Sequence, residues 1–168
     1  EAGGPARLLQ WQRATGAALP TVTLDMPCGM HTYPEGSRLA RTADGSAAAL
    51  ILSGQRYVWW VELNHNRFRK SPAVPEFLPQ DGDWLMRPIV TLALAPNTSE
   101  VAVVGHDGLL RRLALPDLTP IGTEQAAQVA AVYQFTYMPN VASPLAYSAN
   151  GSALAFVQAG GAIGILEL

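Results

Sequence analysis

The run Met26-Pro27-Cys28-Gly29-Met30-His31 places a thiol, two thioethers and an imidazole within six residues. Those are the donor types that hold copper(I) or zinc. A structural zinc site needs four ligands at defined spacing. This stretch offers one Cys and one His, so it reads as a loop packing Met and Cys inward, and neither metal nor cofactor is expected. Nucleophilic catalysis would need Cys28 or a serine beside a histidine with an orienting acid. Cys28 with His31 is the only local pair. His31, His65 and His106 all fall in predicted turns, and no third partner can be assigned. Asp81 and Asp83 flank Gly82 on one loop, beside Trp84. Paired hydrolytic carboxylates stand about 5–9.5 Å apart, usually on separate elements, and a calcium loop needs further acids at fixed steps. The two aspartates therefore read as a solvated turn, and no catalytic residue is assigned.

Two basic groups remain. Arg67, Arg69 and Lys70, with Phe68 between them, follow a predicted strand and read as a solvated loop, a small patch able to meet an acidic peptide or phosphate. Arg111 and Arg112 interrupt an otherwise apolar strand. Side chains alternate along a strand, so one of them is expected to point outward or toward a channel.

Other stretches concentrate the aromatic, Met and Arg side chains in which interface cores are enriched. Met26 to Gly36 holds Met30, His31 and Tyr33; Gln80 to Arg87 holds Trp84, Met86 and Arg87; Ala131 to Val141 holds Tyr133, Tyr137 and Met138. These nine residues are the candidate partner-binding set, the alternative being that they pack over their own sheets. The rest of the composition narrows the partner. With 49% hydrophobic and 14% charged residues and a net charge of −2, the chain lacks the basic footprint that dominates nucleic-acid affinity. The longest apolar run, Ala47 to Leu52, falls far short of the roughly 20 residues of a membrane helix. A single cysteine forms no internal disulfide. A protein partner, no nucleic acid, no membrane and a cytoplasmic setting are expected. The chain opens at Glu1 without Met, leaving room for a removed leader or N-terminal region.

What positions these loops is an internal repeat. Arg38 to Glu62, Thr91 to Leu115 and Pro144 to Leu168 align without gaps, with Leu39, Leu92 and Leu145 in register, since 92−39 and 145−92 both give 53. Asp44, Asn97 and Asn150 coincide, as do Ser46, Ser99 and Ser152. Each unit runs from a short apolar stretch through an Asp/Asn turn, whose side chains bond their own main chain. A run of about five apolar residues follows, fitting a strand buried on both faces, then a second turn and a third strand. Such a meander cannot bury both its faces alone, so units must stack, radially or as a sandwich.

Local motifs separate the two. Leu9, Trp11 and Thr15-Gly16 occur in that order, and the central repeat carries Pro96-Asn97 and Asp107-Gly108 at its turns. In these features nearly the whole chain resembles the WD-repeat β-propellers. The resemblance implies an all-β, partial β-propeller of about three four-stranded antiparallel blades, with strands lettered a to d from the axis outward. Two departures qualify it. The family's Gly-His pair is missing and Gln12 follows Trp11 where Asp is usual, so the buried Asp-His-Ser-Trp network is expected to be absent, leaving stability to packing and backbone ladders. The period also exceeds the ~40–45 residues typical of the family.

Residues 2 to 11 match 159 to 168. The chain is thus one third strand of a preceding blade (5–13) followed by three units (about 17–63, 70–116 and 118–168), with outer strands near Leu19–Asp25, Ala73–Leu78 and Leu118–Thr123. Closed propellers use ~4–8 blades, so the chain reads as the C-terminal part of a larger ring. Two copies would supply about twenty-six strands, not a multiple of four, which favours missing N-terminal blades over a two-chain ring. The expected role is a non-enzymatic protein-interaction scaffold or sensor. The alternative is part of a propeller enzyme or carbohydrate-binding propeller whose centre needs the missing blades, and a self-contained β-sandwich is a third reading.

Overall fold

The computed structural model describes residues 5–12, 14–27, 38–51, 57–65, 67–72, 89–105, 109–122, 145–157 and 162–168. Among them are no helices and thirteen strands: β1 (Pro5–Leu8), β2 (Val22–Pro27), β3 (Arg38–Arg41), β4 (Ala47–Ile51), β5 (Trp59–Glu62), β6 (Arg67–Lys70), β7 (Ile89–Leu94), β8 (Glu100–Gly105), β9 (Leu110–Ala114), β10 (Thr119–Pro120), β11 (Leu145–Tyr147), β12 (Ala153–Val157) and β13 (Ile163–Glu167). They form four antiparallel meanders in chain order: β1-β2, β3-β4-β5-β6, β7-β8-β9-β10 and β11-β12-β13. Lettered by chain order within a repeat, the first sheet holds c and d, the middle two hold a to d, and the fourth holds a to c.

The first hairpin keeps one register in all three repeats. Leu39 pairs with Leu50, Leu92 with Val103 and Leu145 with Phe156. The second hairpin does not. Leu50 pairs with Trp59, whereas the corresponding Val103 and Phe156 pair with Arg111 and Gly164. The b–c connection of the first repeat is therefore one residue longer, and Trp59, Arg111 and Gly164 are the equivalent third-strand positions. This corrects the gapless alignment.

The turn between strands a and b is built the same way each time. Oδ1 of Asp44, Asn97 and Asn150 accepts the backbone N–H of Ser46, Ser99 and Ser152 at 3.0, 3.1 and 3.1 Å, and their hydroxyls at 2.9, 2.7 and 2.9 Å. The intervening residue is left-handed: Gly45 (φ 73°), Thr98 (φ 55°) and Gly151 (φ 76°). In the outer repeats the hydroxyls of Thr42 and Ser148 add a bond to Asp44 (2.6 Å) and Asn150 (2.8 Å), which Ala95 cannot supply in the middle one.

Three apolar layers join the four sheets in sequence. Leu8 and Val22 meet Leu50, Trp59 and Val61; Ala47, Ala49, Ile51 and Trp60 meet Val101, Val103 and Leu113; Ala102, Val104 and Leu110 meet Leu154 and Phe156. Alternation sends successive side chains of β4 and β8 to opposite layers, so both strands are buried throughout. Each fully buried Val, Leu or Ile contributes about 1.5–3 kcal/mol. The two central sheets are thus covered on both faces, unlike the sheets of a two-layer sandwich. β7 lies against β3 on one side and β11 on the other, so the sheets approach one another along their a strands.

Two expectations are corrected. Arg67–Lys70 is no loop: β6 pairs with β5 from Trp59↔Lys70 to Glu62↔Arg67 and occupies the d position assigned to Ala73–Leu78, which lies outside the described residues. Pairing with β5 satisfies the backbone groups on one side of it, and charge on the open edge discourages further strand addition. Neither Arg111 nor Arg112 points to open solvent or a channel. Arg111 is buried on the face toward the second sheet, and Arg112 turns toward the fourth. In addition β2 continues to Pro27, so the connection placed at Met26 to Gly36 starts later.

Candidate interaction surface

Strand direction alternates across each meander. The a–b and c–d turns therefore share one end of a sheet, and the b–c and d–a connections share the other. Met30, His31, Tyr33, Trp84, Met86, Arg87, Tyr133, Tyr137 and Met138 belong to d–a connections and lie outside the described residues, as do Cys28, Asp81, Asp83 and His106. His65 is in the c–d turn after β5, its side chain 69% exposed and 3.7 Å from Glu62. Among the described residues no three His, Cys, Asp or Glu side chains gather to hold a metal ion, and no helix is long and apolar enough to cross a membrane.

Three features stand out on the described surface, each built in part from residues that the sequence marks. The first is a polar clasp between the third and fourth sheets. Arg112 Nε and Nη2 donate to the two oxygens of Glu100 at 2.9 and 2.6 Å, and the Tyr147 hydroxyl donates to Glu100 Oε1 at 2.7 Å. Burial pushes the Glu100 carboxyl upward, but the bonds from Arg112 and Tyr147 and the guanidinium charge outweigh it and hold the pKa below the ordinary value. The Glu100 bond raises that of Arg112. Burial, then the bond to Glu100, pushes the Tyr147 phenol far up. Glu100 stays ionised and Tyr147 neutral, the arrangement a closed donor–acceptor set requires. The signal lay in β8 and β9, where Glu100 opens one apolar strand and Arg111 and Arg112 interrupt the strand it pairs with.

The second is a cation–aromatic cluster on β5 and β6. The Lys70 ammonium sits 4.5 Å from the Tyr57 ring centroid and 5.9 Å from that of Trp59, and Phe68 tilts against Trp59 at 5.6 Å. Such a cation adds about 0.5–1 kcal/mol at an exposed site. Arg69 reaches across to Asp117 at 2.9 Å, tying the second sheet to the c–d turn of the third.

The third is a pair of open sheet faces. On the fourth sheet Ile163 and Ile165 are 73% and 69% exposed, and on the first Leu9 and Trp11 are 54% and 61% exposed. Leu39 is 55% exposed although its counterparts Leu92 and Leu145 are partly covered, because the sheet facing it has only strands c and d. Trp11 does not enter a buried hydrogen-bond network; Gln12 instead accepts from the Thr15 hydroxyl within the turn to β2, at 2.9 Å.

No protein-family model matches the chain, and no curated protein matches it.

Proposed function

We propose that the chain is part of a WD-repeat-like β-propeller, a non-enzymatic module that scaffolds or senses a protein partner in the cytoplasm. The observation that carries this reading is the stack itself. Four sheets follow one another in chain order, each central sheet is packed on both faces, and the second, third and fourth approach along their a strands. Sheets that converge at one edge lie like spokes, and their turns and connections form two rims. Rim loops on such a frame vary freely while the blades hold them, which suits recognition. The d–a connections carry the interface-type residues, from Met30 to Met138. The open first and fourth sheets take further sheets of the same kind.

An enzyme or carbohydrate-binding propeller would put acids or histidines on the inner strands. β3, β7 and β11 read RLAR, IVTLAL and LAY, with none.

The rim is tested by quantitative capture of partners on the immobilised chain and its Trp84→Ala and Tyr137→Ala variants. Truncating an aromatic anchor costs about 2 kcal/mol or more, so each variant is expected to retain its best-captured partner at least about tenfold less well. Unchanged capture by both variants overturns the rim.

A further inference from the structure

Three a–b turns of one build carry three different residue pairs at the corner: Asp44-Gly45, Asn97-Thr98 and Asn150-Gly151. Their chemistry separates them. When glycine follows asparagine, the next backbone nitrogen can reach the side-chain carbonyl carbon with no Cβ in its way. Of the five asparagines in the chain, Asn150 alone precedes a glycine. Thr98 sets a branched side chain beside the nitrogen that would attack Asn97. Asp44 has the glycine, but bonds from Thr42 and then Ser46 lower its carboxyl to about 2, so it is ionised, and a carboxylate resists a nucleophile. The fold also restrains the one reactive pair. Asn150 is exposed to water. Yet the Gly151 N–H donates to the Ser148 carbonyl at 2.9 Å, and Asn150 Oδ1 accepts from the Ser148 hydroxyl, the Ser152 N–H and the Ser152 hydroxyl at 2.8, 3.1 and 2.9 Å. Attack requires the nitrogen to be free of its bond and the side chain to be turned from its donors. Both conditions are met when the end of the hairpin opens, a local event less costly than unfolding the chain.

We propose that Asn150 is a site of spontaneous deamidation, gated by opening of the turn between β11 and β12, and that the aspartate formed re-enters the same turn. In the first step the Gly151 nitrogen bonds to Asn150 Cγ and the Cγ–Nδ2 bond breaks. The backbone amide proton leaves with Nδ2 as ammonia, and a five-membered imide remains. Water then opens the imide. Cleavage of the new N–Cγ bond restores the main chain and gives aspartate. Cleavage of the original backbone C–N bond gives an isoaspartyl link, which carries the main chain through one more carbon and does not rebuild the turn. The balance is asparagine plus water to aspartate plus ammonia, with no change of oxidation state. Aspartate fits the site because Asp44 already occupies its equivalent, accepting from the Thr42 hydroxyl, the Ser46 N–H and the Ser46 hydroxyl at 2.6, 3.0 and 2.9 Å. The outcome is a one-way addition of negative charge to a turn whose bonds survive it.

The full chain is kept in mildly alkaline buffer, folded or in guanidinium chloride, and its chymotryptic peptides covering 148–156 and Asn97 are followed by mass spectrometry. Conversion is read as the exchange of an amide NH2 for OH, and retention separates aspartate from the isoaspartyl form. In guanidinium Asn150 is expected to convert and Asn97 to lag behind it. In the folded chain Asn150 is expected to convert at least about tenfold more slowly than in guanidinium. Gly151→Thr, which copies the middle turn, is expected to slow conversion at Asn150 to the pace of Asn97. Thr98→Gly is expected to bring Asn97 up to the pace of Asn150. Asn150→Asp stands in for the product, and its urea midpoint at neutral pH is expected to equal or exceed that of the natural chain. An Asn150 that stays unconverted in guanidinium overturns the site, as does an Asn97 that converts equally fast. Equal rates in the folded and unfolded chain overturn the gate. A lowered midpoint for Asn150→Asp overturns the return of the product to the turn.

Discussion

At Thr98 the middle repeat holds a β-branched residue at φ 55°, where its neighbours hold Gly45 and Gly151. A left-handed L-residue costs roughly 1–2 kcal/mol, and glycine's greater freedom in the unfolded chain returns about 0.5–1 kcal/mol of that. Thr98→Gly is therefore expected to raise stability by about 0.5–1 kcal/mol, read as a higher urea midpoint at unchanged slope. The reverse change at a neighbour, Gly151→Ala, is expected to lower the midpoint, because the added Cβ meets only Pro96 Cδ at an ordinary 3.7 Å and the backbone angle supplies the penalty. At Asp44 a bond from the Thr42 hydroxyl, then those from the Ser46 backbone and hydroxyl, lower the carboxyl from 3.8 to about 2. The folded value lies below the unfolded one, so the contribution is complete above about pH 4 and is lost as pH falls through about 2. Asn97 and Asn150 show that an amide oxygen serves the same turn without a charge. Asp44→Asn is therefore expected to narrow its stability deficit against the natural chain, measured by urea unfolding, between pH 5 and pH 2. The turns were legible in the sequence because Asp, Asn and Ser recur at fixed register. The strain at Thr98 was not, because a backbone angle shows only in the fold.

Between elements the decisive contact is the clasp of Glu100, Arg112 and Tyr147. Tyr147→Phe removes one bond to a charged acceptor and is expected to cost about 1.5–3 kcal/mol. Glu100→Ala strands a guanidinium. A fully buried pair broken this way loses about 3–5 kcal/mol; the Arg112 side chain is 27% exposed, so about 2–3 kcal/mol is expected after partial solvation. Replacing all three with Ala, Ile and Phe is expected to be near neutral, since apolar substitutes for a buried ion pair commonly match it. Chemical denaturation of the single and triple variants measures each value. The chain itself uses Ala47 with Trp60, and Ala153 with Ile165, at the positions of Glu100 and Arg112. Sequence reasoning placed the b strands well, because an unbroken apolar run bounded by turns at a fixed period has few other uses. It missed β6, since Arg67, Arg69 and Lys70 carry no apolar alternation and a charged edge strand looks like a loop. It also missed the longer b–c connection of the first repeat, although Val58-Trp59-Trp60-Val61 aligns with Leu110-Arg111-Arg112-Leu113 once one residue is skipped.

At the scale of the molecule, the thirteen strands of the described residues fall in groups of two, four, four and three, in the order read from one partial unit and three repeats. Repetition made that order legible, because three weak patterns at a common spacing reinforce one another. The rim residues from Met30 to Met138 were chosen by side-chain type alone, without a repeat to place them, and lie outside the described residues. The four described sheets, packed in chain order with the inner two covered on both faces, also have a thermodynamic personality of their own. Among the described residues the first and fourth sheets are packed on one face and the inner two on both, so thermal opening of these sheets begins at the singly packed ones and travels inward like a zipper. Anything that covers a singly packed face therefore stiffens the sheets behind it, making their rigidity a reporter of the company they keep.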